Sequence, residues 1–296
     1  ILHGPRPINK MLPWLDTHPK IDRVHSPHQV LDIVSSKEMP STEFRLYLNG
    51  HYQFDTKLEK DYHEHMAHIP PMIHNHDPIS VLVIGGGDGL LVRELLKYKS
   101  VTRIEVIELD KKIIDLATSK LLPHNNNSLL DKRVKLVIED AFLYLKQTPK
   151  KYDSIYIDLP FPYSYDGLRL YSIEFFGLIY KHLKKNGFIV ADIPFELQKN
   201  NLSPVNQTSI ATIEVAGFKG LVAYSSRFDT FITASNNDSK QLTLRYKKPS
   251  FTLKTINKKW FYNSRNYRRI SAQKLNINLS NSILRPKGLI FRDYSF

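Results

Sequence analysis

From Val81 onward, short apolar runs alternate with amphipathic stretches, and the period switches between two and about 3.6 residues. The runs predict strands over 81–84, 103–107, 134–138, 154–158, 187–193 and 219–224, with 228–234 as an antiparallel partner to the last and helices between them. Leu90 to Tyr98 is the helix after the first run. This alternation predicts an α/β fold, a Rossmann-like doubly wound sheet whose ligand lies at the carboxyl ends of its first strands. Ahead of it, Val24–Val34 and Phe44–Phe54 alternate as half-buried strands do, and Asn49-Gly50 marks a turn, so a small N-terminal antiparallel β-sheet is expected. Asp61 to Ile69 reads as a short helix closed by Pro70-Pro71. There is no internal repeat, and His124–Ser128 reads as a loop. The expected organisation is a lead-in (1–23), a small β domain with a short helix (24–76), the Rossmann-like catalytic domain (77–239) and a C-terminal extension (240–296).

Charge separates the last segment from the rest. The chain has 296 residues, 42 Lys and Arg, and 29 Asp and Glu, a net +13. Residues 240–296 hold 14 of the bases against one acid, Asp293, so the whole excess resides there and residues 1–239 are neutral. The bases Lys258, Lys259, Arg265, Arg268 and Arg269 are interleaved with Trp260, Phe261, Tyr262 and Tyr267. Such a tail suits an anionic membrane surface or nucleic acid, or else it is an extension packed through its aromatics or used in self-association. The absence of cysteine excludes disulfides, thiolate catalysis and zinc–thiolate sites. No apolar run reaches the roughly 20 residues that span a bilayer. The chain begins at Ile1 rather than Met, which leaves room for an upstream segment.

Residues 81–110 carry the chemistry. Gly85, Gly86 and Gly87 let the backbone turn sharply and approach a ligand with no Cβ in the way. Glu108 follows about 20 residues after them, where a carboxylate accepts both hydroxyls of a ribose lacking a 2′-phosphate. Asp88 in the turn would repel a pyrophosphate and attract a cation. Adenine, ribose and a positive charge near the 5′ end describe S-adenosylmethionine or its decarboxylated form, and the sheet is then of the S-adenosylmethionine-dependent methyltransferase type. Asp140, in Ile138-Glu139-Asp140-Ala141, is placed to accept from an adenine amino group. Asp158 precedes Pro160 and Pro162, which stiffen its loop and aim it at the reacting end. His63, His65, His68, His74 and His76 invite a metal reading, but they offer no H-E-x-x-H spacing and no metal is expected.

With these residues in hand, the chain resembles the polyamine aminopropyltransferases, the spermidine synthase group. The blocks are Ser26-Pro27-His28-Gln29, Arg45–Gly50, Asp61-Tyr62-His63-Glu64, Gly85–Gly89, Glu108-Leu109-Asp110, Glu139-Asp140-Ala141, Asp158-Leu159-Pro160 and Leu170–Phe175. The last two are most similar to long members of the family, which place such a domain after membrane helices. The resemblance implies aminopropyl transfer from decarboxylated S-adenosylmethionine, a co-substrate rather than a prosthetic group, to a small amine such as putrescine. It implies Asp158 as base, Tyr62 helping to orient the amine, and Gln29, His63, Gly85, Gly86, Asp88, Glu108, Asp140 and Ala141 around the donor. Gln53, Phe161, Asp166 and Tyr224 fall on the acceptor side. A homodimer and a cytoplasmic location, or the cytoplasmic part of a longer membrane-associated protein, follow by analogy. One departure stands out: the family's Asp-x-x-Asp-Pro has Phe161 in place of its second Asp, and Asp166 is the nearest substitute. The alternatives are methyl transfer from S-adenosylmethionine and a non-catalytic nucleoside-binding homologue with a basic interaction tail.

Overall fold

The computed structural model describes residues 19–37, 39–162, 164–197, 203–237, 242, 245–263, 267–270 and 277–287. Most of the expected lead-in, Tyr163, and Arg265 and Asp293 of the basic tail lie outside these. Strands β1 (Lys20–His25), β2 (Val30–Ser35), β3 (Arg45–Leu48) and β4 (His51–Asp55) form an antiparallel sheet in chain order. The first of them starts inside the stretch read as lead-in. Asn49 and Gly50 join β3 to β4 with φ of 51° and 80°, the left-handed pair that a two-residue hairpin needs.

Next come α1 (Glu59–His74), β5 (Ser80–Gly85), α2 (Leu90–Leu95), β6 (Arg103–Glu108), α3 (Lys111–Ala117), α4 (Leu122–Asn125) and β7 (Val134–Ile138). They are followed by α5 (Ala141–Gln147), β8 (Tyr152–Asp158), α6 (Tyr165–Arg169), α7 (Ile173–His182), β9 (Leu183–Asp192) and α8 (Pro204–Val215). The chain then adds β10 (Lys219–Ser225), β11 (Thr230–Ser235), α9 (Lys258–Phe261) and β12 (Tyr267–Arg269). The second sheet has eight strands in the order β12-β10-β11-β9-β8-β5-β6-β7. Its β7-β6-β5-β8-β9 portion is parallel, and β10, β11 and β12 pair antiparallel. Every residue of β5 is buried, as a central parallel strand covered by helices on both faces requires.

Two expectations are corrected. The prolines do not close α1, which runs through Pro70 and Pro71 to His74. Pro71 has no N–H for the carbonyl of Ala67, and the Tyr156 hydroxyl donates to that carbonyl at 3.4 Å instead. The helix is almost wholly buried, so packing outweighs the proline penalty. The stretch 124–128 is not an open loop: it contains the end of α4 and the start of a 3₁₀ turn over Ser128–Leu130. Asn126 and Asn127, at φ of 53° and 55°, link the two.

The described part of the basic segment is packed on the body. Ile256 and Phe261 are buried in the same apolar cluster as Tyr156, Val222 and Tyr224. Glu64, 1% exposed on α1, accepts from the backbone N–H groups of Lys254 and Thr255 and from the Thr255 hydroxyl at 2.7–2.9 Å. No helix among the described residues is long and apolar enough to cross a membrane.

Candidate active site

The chain leaves β5 toward β6 and β7 and returns on its other side as β8 and β9, so a crevice opens at the carboxyl ends of β5 and β8. Gly85 stands opposite Asp158 in the register of these strands. At φ +79°, a Cβ on Gly85 would lie 2.0 Å from the Asp158 carbonyl oxygen; at φ +63°, one on Gly86 would lie 3.1 Å from Asp158 Oδ2. Only glycine lets the turn come this close to the carboxylate.

Strand-end carboxylates surround the turn. Glu108, ending β6, accepts from Gly87 N at 3.2 Å through Oε2 and from Asp110 N at 2.8 Å through Oε1. Each oxygen keeps lone-pair capacity for a further donor. Burial pushes Glu108 up to about 7, against the pull of the two backbone donors. Burial likewise raises Asp88, while His63 and the Leu90 N–H at 2.8 Å act the other way. His63, 3% exposed on α1, holds its Nδ1 on Glu59 Oε2 at 3.0 Å. Burial disfavours its charge, but Glu59, Asp88 and Asp158 outweigh that and lift it to about 9.

Asp158 ends β8. Its Oδ1 accepts the Tyr62 hydroxyl at 2.8 Å, and its Oδ2 is buried without a hydrogen-bond partner. Burial first and Asp88 second push it up to about 6, while His63 and Tyr62 pull it down. The same Tyr62 hydroxyl lies 3.2 Å from Oδ2 of Asp192, the last residue of β9, whose Oδ1 is also buried and unpartnered. Asp229, in the turn before β11, is raised to about 6 by burial. Asp192 and Asp229 are absent from the sequence reading. Asp192 had a signal of the same form as Asp158, an acid at a strand end two residues before a proline, hidden by a strand expected to run on to residue 193.

The other expected residues fall into three places. Gln29 donates to Asp110 Oδ2 at 2.9 Å beside the Ser26 hydroxyl at 2.7 Å, which ties the β1–β2 turn to the N-cap of α3. Gln29, Gln53 and Phe161 line a cavity of about 290 Å³ with Leu48, Leu159, Leu170 and Tyr171, between the small sheet and the loop after β8. Asp140 caps α5, of which Ala141 is the first residue, and its second oxygen is paired with Arg169. Asp166 is exposed in the first turn of α6, next to cavity-lining Gly167. Tyr224 lies in the core, its ring stacked on Phe231 at 5.3 Å and its hydroxyl donating to the His65 carbonyl at 3.4 Å. A larger open hollow of about 910 Å³ lies along Thr255–Asn263, but no strand-end carboxylate lines it.

The histidines disperse. His63 goes to Glu59, His65 to the Asp61 carbonyl, His68 to Glu94 and Tyr98, and His74 to Thr233. Among the described residues no three His, Asp or Glu are grouped to hold a metal.

Similarity to known proteins covers most of the chain. The family described as Spermine/spermidine synthase domain matches residues 59–240. The polyamine aminopropyltransferase of Methanocaldococcus jannaschii is 34% identical over 209 residues, 71% of this chain and 68% of that protein. That of Oceanobacillus iheyensis is 36% identical over 174 residues, 58% of this chain and 33% of that protein. The chain thus spans only about a third of the length of the first curated relatives it matches, at 33% and 37%. Among solved structures, spermidine synthase from Thermotoga maritima superposes with a TM-score of 0.65 at 25% identity, covering 82% of each chain. A spermidine synthase in complex with the transition state analogue AdoDATO gives 0.65 at 27% identity, covering 82% of this chain and 84% of that one.

Proposed function

The chain belongs to the spermine/spermidine synthase family, and from that premise we propose that it transfers the aminopropyl group of decarboxylated S-adenosylmethionine to a diamine such as putrescine. The acceptor nitrogen attacks the carbon next to the sulfonium sulfur. A C–N bond forms, the C–S bond breaks with its electron pair going to sulfur, and neutral 5′-methylthioadenosine leaves. The nitrogen's surplus proton must go to the protein.

The observation that carries this reading is the carboxylate of Asp158, buried against the glycine turn with one oxygen on Tyr62 and the other unpartnered. An alkyl ammonium near pKa ~10 cannot attack, so a base must sit beside the reacting carbon. At about 6, Asp158 is ionised at neutral pH yet a better proton acceptor than a solvated aspartate. Tyr62, pushed well above its ordinary range by burial, stays a donor throughout and orients Asp158.

Asp88 and Glu108 supply the rest of the donor site. Asp88, in the turn, suits the donor's ammonium, and the spare lone pairs of Glu108 suit the ribose hydroxyls. Asp140 and Ala141 take the adenine side in this reading, with Arg169 exchanging its partner when the ring arrives. The apolar wall of Leu159, Leu170 and Phe161 fits the uncharged part of the substrates. A homodimer and a cytoplasmic location accompany the proposal by family analogy, and an anionic contact for the basic segment accompanies it by charge.

The test is release of methylthioadenosine from decarboxylated S-adenosylmethionine with putrescine, cadaverine, spermidine or no amine. Amine-dependent release is expected, with putrescine best. Release without amine, or none with any of them, contradicts the proposal.

A further inference from the structure

The acids at the carboxyl edge follow the strand order. Asp88 comes after β5, Asp158 ends β8, Asp192 ends β9 and Asp229 precedes β11, and these four strands are consecutive neighbours. Asp158 faces the glycine turn, where the donor is placed above. Asp192 lies one strand further away, about 4.8 Å on. The two hydrogen bonds of Tyr62, 2.8 and 3.2 Å end to end, hold the bonded oxygens of Asp158 and Asp192 no more than about 6 Å apart. Each has a second oxygen buried and unpartnered, and Asp192 is only 8% exposed. A buried carboxylate oxygen without a donor is costly, and a ligand ammonium supplies the missing N–H groups. A four-carbon diamine spans roughly 6 Å between its nitrogens, long enough to reach from one of two carboxylates this close to the other. The described residues of the loop after Asp158 are Leu159, Pro160, Phe161, Pro162 and Ser164, none of which carries a carboxylate.

We infer that Asp192 is the specificity residue for the acceptor, binding the second ammonium of a diamine while Asp158 receives the proton of the reacting nitrogen. This rests on the aminopropyl-transfer reading. It makes Asp192 the reason for a diamine over a monoamine, and Tyr62 the spacer that fixes the separation of the two carboxylates.

The test is equilibrium binding of putrescine and of n-butylamine to the full chain in the presence of 5′-methylthioadenosine, comparing wild type with Asp192→Asn. The substitution keeps the shape and one acceptor oxygen for the Tyr62 hydroxyl but removes the carboxylate that an ammonium would pair with. Putrescine affinity should fall roughly 10- to 100-fold, with butylamine affinity changing less than threefold. Methylthioadenosine affinity, unchanged, reports an intact fold. Equal losses for both amines, or no loss for putrescine, overturn the inference. Turnover is followed in parallel, and a wild type that binds diamine through Asp192 but releases no methylthioadenosine sinks the reaction and not the recognition.

Discussion

Tyr62→Phe probes the environment of the proposed base. The hydroxyl donates to Asp158 Oδ1 at 2.8 Å and favours the ionised carboxylate, countering burial and Asp88. A hydrogen bond to a charged group contributes about 1.5–3 kcal/mol. At 1.36 kcal/mol per pH unit, its loss raises Asp158 from about 6 by roughly one to two units. The sign is fixed: a base that holds its proton to higher pH is active only above a higher pH. At pH 7 the wild-type carboxylate is about nine-tenths ionised, and the variant's between about one half and one tenth. The assay is kcat/KM for putrescine, read as methylthioadenosine release from pH 5 to 10. The acid limb should move from near 6 to between about 7 and 8, with much of the rate recovered at pH 9. The limb set by the amine's own proton is common to both proteins. An acid limb that stays in place under a uniform loss of rate would refute the reasoning, because the hydroxyl then acts without touching the ionisation of Asp158.

Other outcomes follow from the packing. Glu59, held from its ordinary 4.5 down to about 2 because His63 and Arg93 outweigh its burial, contributes roughly 3 kcal/mol above pH 4.5, lost as pH falls toward 2. Glu59→Gln should remove about 3 kcal/mol of stability at pH 7, because buried Arg93 loses its bidentate carboxylate and keeps only Glu94 as an anionic partner; a denaturant midpoint within error of wild type excludes this. Glu64→Ala should release Lys254 and Thr255, giving faster proteolytic cleavage between residues 242 and 263 while the sheet persists by circular dichroism; unchanged cleavage would mean that the aromatic contacts alone hold the segment.

The parallel strands were legible because each is a compact apolar run, and the glycine turn with its neighbouring acids because they fall at the ends of those runs. What escaped depends on contacts distant in sequence. Pro70 and Pro71 signal a stop, and only the hydroxyl of Tyr156 and the burial of the whole helix explain why α1 continues. The three residues of β12 are too few to show a period, and the strand exists because β10 offers an edge. The pairing of Asp140 with Arg169 joins helices separated by β8, so local sequence could present Asp140 only as free for a ligand. Asp192 was lost to a strand boundary one residue too long, and its place beside Asp158 emerges only when Tyr62, from a different element, touches both.

The most direct measurement of the central claim is a single-turnover reaction with decarboxylated S-adenosylmethionine and putrescine, analysed by mass for both products, in wild type and Asp158→Asn. The account predicts one methylthioadenosine and one aminopropylated diamine per turnover in wild type, and a rate at least ~100-fold lower in the variant despite unchanged donor binding. Equal rates in the two proteins, or methylthioadenosine without the aminopropylated product, would contradict it.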